Sequence, residues 1–180
     1  MITIISKYKY TEKEQKEILN SIVILCDSRE QKNTHITDFF DRKNIAWKRM
    51  GMKQVDYSFY IPANEDLHID RDMYFDKEVV LERKNSLEEL SSSLSANRTQ
   101  FENELIRSHD SKFILMVETP IGWTDIINKN YNTSYNNASY LATLFTFSHR
   151  HNMDINFIPK DDAGFFIHKQ FYYFAREMLK

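Results

Sequence analysis

The sequence predicts an α/β fold: a central sheet with helices packed on both faces. Three observations carry this. Residues 22–26 (IVILC) and 113–117 (FILMV) are continuous apolar runs of strand length, as expected for strands buried on both faces. Leu87, Leu90 and Leu94 recur at the spacing of a helix with one apolar face. Strand and helix patterns alternate along the 180 residues, which is the order of a covered sheet. At about 100–200 residues per domain, this length holds one domain with a real core.

The elements follow in order. Thr11 with Glu14 is a capping-box signature and opens a short charged helix to about residue 20. Residues 1–20 therefore read as an N-terminal extension of strand and short helix, and 21–180 as the domain proper. After the strand at 22–26, the loop 27–35 leads into a helix with Ile36, Phe39 and Phe40 on its apolar face. Residues 45–50 and 55–61 read as the next two strands, 62–76 as a long polar connection and 78–83 (EVVLER) as the fourth strand. Helices follow from Ser86 and over 98–107, the second turning Phe101 and Leu105 inward. Beyond the strand at 113–117, the Asn-rich stretch 128–137 reads as a polar loop. A helix over 139–151, a strand over 155–158 and a final helix over 163–179 complete the order.

Composition removes several classes. Thirteen Phe, ten Tyr and two Trp supply enough apolar surface to exclude intrinsic disorder. Three Gly and three Pro exclude collagen-like architecture, and no glycine-rich phosphate loop is present. The single cysteine, Cys26, excludes a disulfide framework and a cysteine-based zinc site. No stretch approaches the roughly 18 apolar residues that cross a bilayer, and Lys7 and Lys9 interrupt the first apolar run too early for a signal peptide. A cytoplasmic protein is expected. A formal net charge of −2 argues against indiscriminate binding to nucleic acid, so any phosphate-handling site is local.

Three clusters are candidates for such a site. Asp27, Ser28, Arg29 and Glu30 stand where the first buried strand ends, at the rim where α/β folds build sites, although a solvated strand end is the commoner reading. Asp56 lies within a predicted apolar-aromatic strand, where a carboxylate is out of place unless paired or bound to metal; an edge-strand solubility charge is the plainer explanation. Glu82 and Lys84 project together from one strand face, while Arg83 points away. Two carboxylates are the oxygen donors that a hard divalent cation prefers, and a lysine beside them positions water or neutralises charge. An Asp on one strand and Glu-x-Lys on a following one is the minimal site of the PD-(D/E)xK nucleases.

The surrounding sequence is more specific than that skeleton. VILCDSRE at 23–30, Val55-Asp56-Tyr57, VLERKNSLEEL at 80–90 and NRTQFENEL at 97–105 occur in this order. Together they resemble the XPF-type nuclease domain of structure-specific flap and junction endonucleases, most closely its short stand-alone phage and bacterial versions, over residues 22–158. The resemblance implies a restriction-endonuclease-like mixed sheet flanked by helices on both faces. It implies a Mg2+- or Mn2+-dependent endonuclease on branched, flap or junction DNA that leaves 5′-phosphate and 3′-hydroxyl ends, a homodimer, and a role in DNA repair or recombination in a bacterial host cell. From the composition, no membrane partner and no nucleotide cofactor are expected.

Residue by residue, the resemblance makes Asp56 and Glu82 metal-binding carboxylates and Lys84 the catalytic lysine. Asp27 matches the first acidic site residue and a further candidate metal ligand, with Arg29 and Glu30 as its charged neighbours. Arg83 offers its backbone carbonyl to the metal. Arg98 matches a site-facing arginine that meets phosphate, with Glu102 or Glu104 as its acceptor. Two departures stand out: Val55 occupies the place of the family's glycine beside Asp56, and Glu88 or Glu89 takes the place of its aspartate after ERK. The tandem helix-hairpin-helix module of many relatives is not expected here.

Other features have plainer explanations. His149 and His151 lie about 200° apart around a helix and suit a solvated helix end better than a metal. The aromatic run 171–174 has the spacing of core packing or a dimer interface. The alternative function is a non-catalytic DNA-binding or partner module on the same fold, and the presence of Asp56, Glu82 and Lys84 weighs against it. A hydrolase of RNA or small phosphoesters is separable only by its substrates.

Overall fold

The structure is a computed structural model that describes residues 9–52 and 55–180. The strand expected in the N-terminal extension falls in residues 1–8, outside the described residues. The first helix, α1 (Glu12–Ser21), carries the expected capping box: the Thr11 hydroxyl accepts from the Glu14 N–H, and the Glu14 carboxylate accepts from the Thr11 N–H. Ile18 and Leu19 of α1 are buried in the core, so this helix is packed onto the domain.

Then come β1 (Val23–Asp27), α2 (Thr34–Arg42), β2 (Trp47–Met50), β3 (Tyr57–Ile61), a two-residue β4 (Met73–Tyr74) and β5 (Val79–Lys84). The helices α3 (Leu87–Leu94) and α4 (Arg98–Arg107) lead to β6 (Lys112–Glu118). A short α5 (Trp123–Ile127), α6 (Asn137–His151), β7 (Met153–Ile158) and α7 (Ala163–Met178) follow. Among the described residues the strands form one sheet in the order β2-β1-β3-β5-β6-β7, with β4 paired to β3. The pairs β1·β2, β5·β6 and β6·β7 are parallel, whereas β3 is antiparallel to both β1 and β5. The predicted α/β mixed sheet with helices on both faces is the observed one.

The pleat sends alternate side chains to opposite faces. Ile24, Phe59, Leu81 and Met116 meet α1, α2 and α7 through Ile18, Ile36, Phe40, Ile167 and Phe171. Leu25, Val80, Leu115 and Val117 meet α3, α4 and α6 through Leu90, Phe101, Tyr140 and Phe147. The aromatic C-terminal helix therefore turns Phe171 into the core, while Tyr173 and Phe165 are exposed.

The structure corrects two details and adds to a third. Asp56 is not inside a strand: it sits on a bend immediately before β3, so it needs no β propensity. The connection 62–76 contains a 3-10 turn, Glu65–Leu67, and β4. The Asn-rich loop 128–137 is anchored, because Tyr131 and Tyr135 pack on Tyr140 and Asn136 caps α6.

Candidate active site

Topology brings the candidate residues to one rim. β1, β5 and β6 all run towards it, ending in Asp27, Lys84 and Glu118, while antiparallel β3 starts there, just after Asp56. On β5, Glu82 and Lys84 share the face of Val80 and look towards α3 and α4, and the Lys84 ammonium lies 5.3 Å from the Phe101 ring centre. Arg83 takes the opposite face. A cleft of about 320 Å³ opens over this end of the sheet, lined by Asp56, Glu82 and Lys84 together with Arg29, Glu30, Glu89, Gln100 and Glu104.

Within it, Lys84 Nζ donates to Glu82 Oε1 at 2.6 Å. Asp56 Oδ2 accepts the Arg83 peptide N–H at 2.8 Å, and the Asp56 carbonyl accepts the Asp27 N–H at 2.8 Å. Asp56 is thus fixed between two strands by its main chain and its side chain.

The electrostatics are those of crowded carboxylates. Burial, and then the Glu82 charge, push the Asp56 carboxyl well above the usual range. Burial pushes Glu82 up to about 7 although Lys84 opposes it. Lys84 itself is raised: burial lowers it, but the pull of Glu82 outweighs that. Burial also raises Glu30.

Two buried carboxylates in one cleft, the charge of Glu82 disfavouring that of Asp56, suit a hard divalent cation. Among the described residues no group of three or more His, Cys, Asp and Glu converges as a ready-made metal cage. Two carboxylates leaving room for water fit magnesium, which keeps several waters and needs only one or two carboxylates.

The remaining sequence candidates divide. Glu30 and Arg29 line the cleft. Asp27 does not: it is buried, and its carboxylate is held by the Arg29 guanidinium at 2.6 Å and the Arg29 N–H at 2.8 Å. Burial pushes the Asp27 carboxyl up, but these Arg29 bonds bring it net below its ordinary value. Of the paired alternatives, Glu89 lines the cleft while Glu88 accepts the Asn132 N–H at 2.8 Å. Glu104 lines it while Glu102 pairs with Arg150 at 2.7 Å. Arg98 departs from expectation: its guanidinium lies 5.0 Å from the Phe147 ring centre and is not part of the cleft lining. A ring face attracts a guanidinium at that distance, which explains the direction it takes.

Gln100, which lines the cleft, escaped the sequence reading, and so did two residues behind it. Glu118, at the end of β6, and His35, on α2, form a buried cluster with Arg83 behind the cleft. Glu118 carried a usable signal, since it ends an apolar strand just as Asp27 does.

The family model for the ERCC4 domain matches residues 26–169. This chain belongs to that family. The ERCC4 domain model thus runs from the end of β1 into the first half of α7, and takes in every residue of the cleft. Among solved structures the chain is similar to XPF from Aeropyrum pernix, with a TM-score of 0.59 and 14% identity, over 88% of this chain and 62% of that one. It is also similar to XPF from Aeropyrum pernix in complex with DNA, at 0.61 and 12%, over 86% and 66%. At these identities the likeness is one of fold, and the chain spans less than two thirds of either solved chain. No curated protein sequence matches significantly.

Proposed function

We propose that this ERCC4 domain is a divalent-metal-dependent DNA endonuclease that hydrolyses phosphodiester bonds in branched or flapped DNA, leaving 5′-phosphate and 3′-hydroxyl ends. The observation that carries the reading is the meeting of Asp56, Glu82 and Lys84 in one cleft at the sheet rim. Asp56 and Glu82 would hold Mg2+ or Mn2+, with the Arg83 carbonyl as a further donor. A bound ion of this kind supplies Lewis acidity at a phosphoryl oxygen and a more acidic water. The chain's own residues do the rest. Lys84, hydrogen-bonded to Glu82, is placed to donate to an attacking water or a phosphate oxygen. Arg29, largely exposed beside the cleft, is placed to meet a neighbouring phosphate. The DNA-bound state of the solved relative supports nucleic acid as the substrate.

End-labelled flap, fork, four-way-junction and linear duplex DNA, incubated with magnesium, manganese or EDTA, test the proposal. Cutting is expected only with metal, to prefer branched DNA, and to fall by at least about 100-fold in Glu82→Ala and Lys84→Ala, the lower end of what a positioned acid or base contributes. No cutting by folded protein with either metal would leave a binding module. A homodimer is part of the proposal, supported by the exposed Phe165 and Tyr173 of α7. A single-chain mass by light scattering at micromolar concentration removes it.

A further inference from the structure

Arg83 is 4% exposed and faces away from the cleft, yet all three of its guanidinium nitrogens are engaged. Glu118 accepts from Nε at 2.7 Å and from Nη2 at 2.9 Å, and Glu30 accepts from Nη1 at 3.0 Å. His35 Nε2 lies 2.7 Å from Glu118 Oε1. The Arg83 side chain of β5 is therefore held from β6 and from the loop after β1, and α2 reaches this cluster through Glu118. A guanidinium this deep is strongly destabilising unless paired, and the paired arrangement admits little rotation because the carboxylate grips it at two points.

One bond leads from this cluster to the cleft. The Arg83 peptide N–H donates to Asp56 Oδ2 at 2.8 Å. β3 and β5 share a single register pair, Tyr57 with Leu81, so past that point the Asp56 side chain stands where a strand carbonyl would accept. No β3 main-chain partner fixes the Arg83 N–H. Its direction is set by the conformation of Arg83, and the side chain of Arg83 is clamped on the other face.

We propose that Glu118 is a positioning residue for the metal site. By clamping the Arg83 side chain from behind the sheet, with His35 orienting its carboxylate, it holds the Arg83 N–H on one oxygen of Asp56 and so aims the other towards the cleft shared with Glu82. This rests on the metal-dependent reading above. Outer partners of a metal-binding carboxylate commonly contribute 10–100-fold to metal affinity or activity.

The test is calorimetric titration of the DNA-free chain with Mn2+, beside its thermal midpoint and its cleavage kinetics. Glu118→Gln keeps the shape of the side chain but loses the two-point grip on Arg83. It should bind Mn2+ roughly 10–100-fold more weakly and lower kcat with KM for DNA unchanged. Because that variant leaves a buried guanidinium underpaired, a second one, Arg83→Met with Glu118→Leu, removes both charges; such apolar replacements often keep or raise stability. It should show the same loss of Mn2+ affinity with a midpoint no lower than that of Glu118→Gln, Glu30 being the one carboxylate that loses its cation. Adding Glu118→Gln to Asp56→Asn should weaken Mn2+ binding no further, since both act through one carboxylate.

Mn2+ affinity at the wild-type level in both brace variants overturns the positioning role. A wild-type chain that binds Mn2+ but cuts no DNA overturns the endonuclease reading and leaves the affinity comparison intact. A wild-type chain that binds no Mn2+ overturns both.

Discussion

Glu82 and Lys84 stand two residues apart on one strand, and everything chemical in the cleft depends on how their charges are held. Glu82 has its carboxyl raised to about 7 by burial, against an ordinary 4.5. Between those two values the folded chain holds a proton that the unfolded chain has lost, so folding stability falls as pH rises through that window. In EDTA, the wild type should lose stability to urea between about pH 4.5 and about pH 7, and Glu82→Gln should flatten the slope. An equal slope in the two proteins would place the shift elsewhere. Metal acts on the same groups with the opposite sign. At about 100 times its dissociation constant, Mn2+ should add about 2.7 kcal/mol, which for a chain of this size is a midpoint rise of about 5–10 °C. The rise should vanish in Glu82→Ala, and scanning fluorimetry with and without EDTA decides it. Residue by residue, the meeting of Asp56, Glu82 and Lys84 was readable in the sequence, because strand period puts Glu82 and Lys84 on one face and Asp56 lies in the Val55-Asp56-Tyr57 motif. The pairing of Glu118 with His35 was not, since it spans 83 positions, although the place of Glu118 at the end of an apolar strand is itself a local signal. Arg98 was misplaced because Phe147, which draws its guanidinium, lies on α6.

The elements were legible where burial is continuous. β1 and β6 are built on apolar runs and β5 opens on one, and all three appear within a residue or two of the expected bounds. Short elements made by context were missed. β4 is two residues, paired to β3 through Tyr60 and Tyr74, and those stacked rings rather than propensity hold it. α5 is five residues, introduced by Gly122 at φ 72°, where a Cβ would stand 2.7 Å from Phe157. A glycine inside a helix makes a different case. Gly164 lies in the first turn of α7, where alanine ordinarily gains about 1 kcal/mol of helix propensity. Here the added Cβ meets Cβ of Phe39 on α2 at 2.9 Å, an atom with no rotamer freedom to retreat. The clash should win, and Gly164→Ala should destabilise the chain by about 1–3 kcal/mol in urea unfolding. A gain in stability would mean that α2 and α7 separate without cost.

At the scale of the whole molecule, the proposed function requires a chain of net charge −2 to approach a polyanion. Five carboxylates, Glu30, Asp56, Glu82, Glu89 and Glu104, line the cleft against two cations, Arg29 and Lys84. Arg29 is further engaged with Asp27. Such a cleft repels phosphate until part of its charge is neutralised, so metal should be required for binding as well as for cutting. Flap DNA anisotropy at about 0.15 M salt should accordingly show weak binding in EDTA, tightening when Ca2+, a hard oxygen-seeking cation, is added. Removing one cleft charge should imitate part of that effect. A unit charge about 4 Å from a phosphate is worth about 1 kcal/mol even in a water-like dielectric, so above the Glu82 titration at about 7 the Glu82→Gln protein should bind flap DNA roughly fivefold tighter in EDTA. The same substitution should cut no DNA with any metal, which separates gripping the substrate from cleaving it within one side chain. Tight metal-free binding by the wild type, unchanged in Glu82→Gln, would mean that DNA is held on a surface away from the cleft and that its carboxylates do not control access.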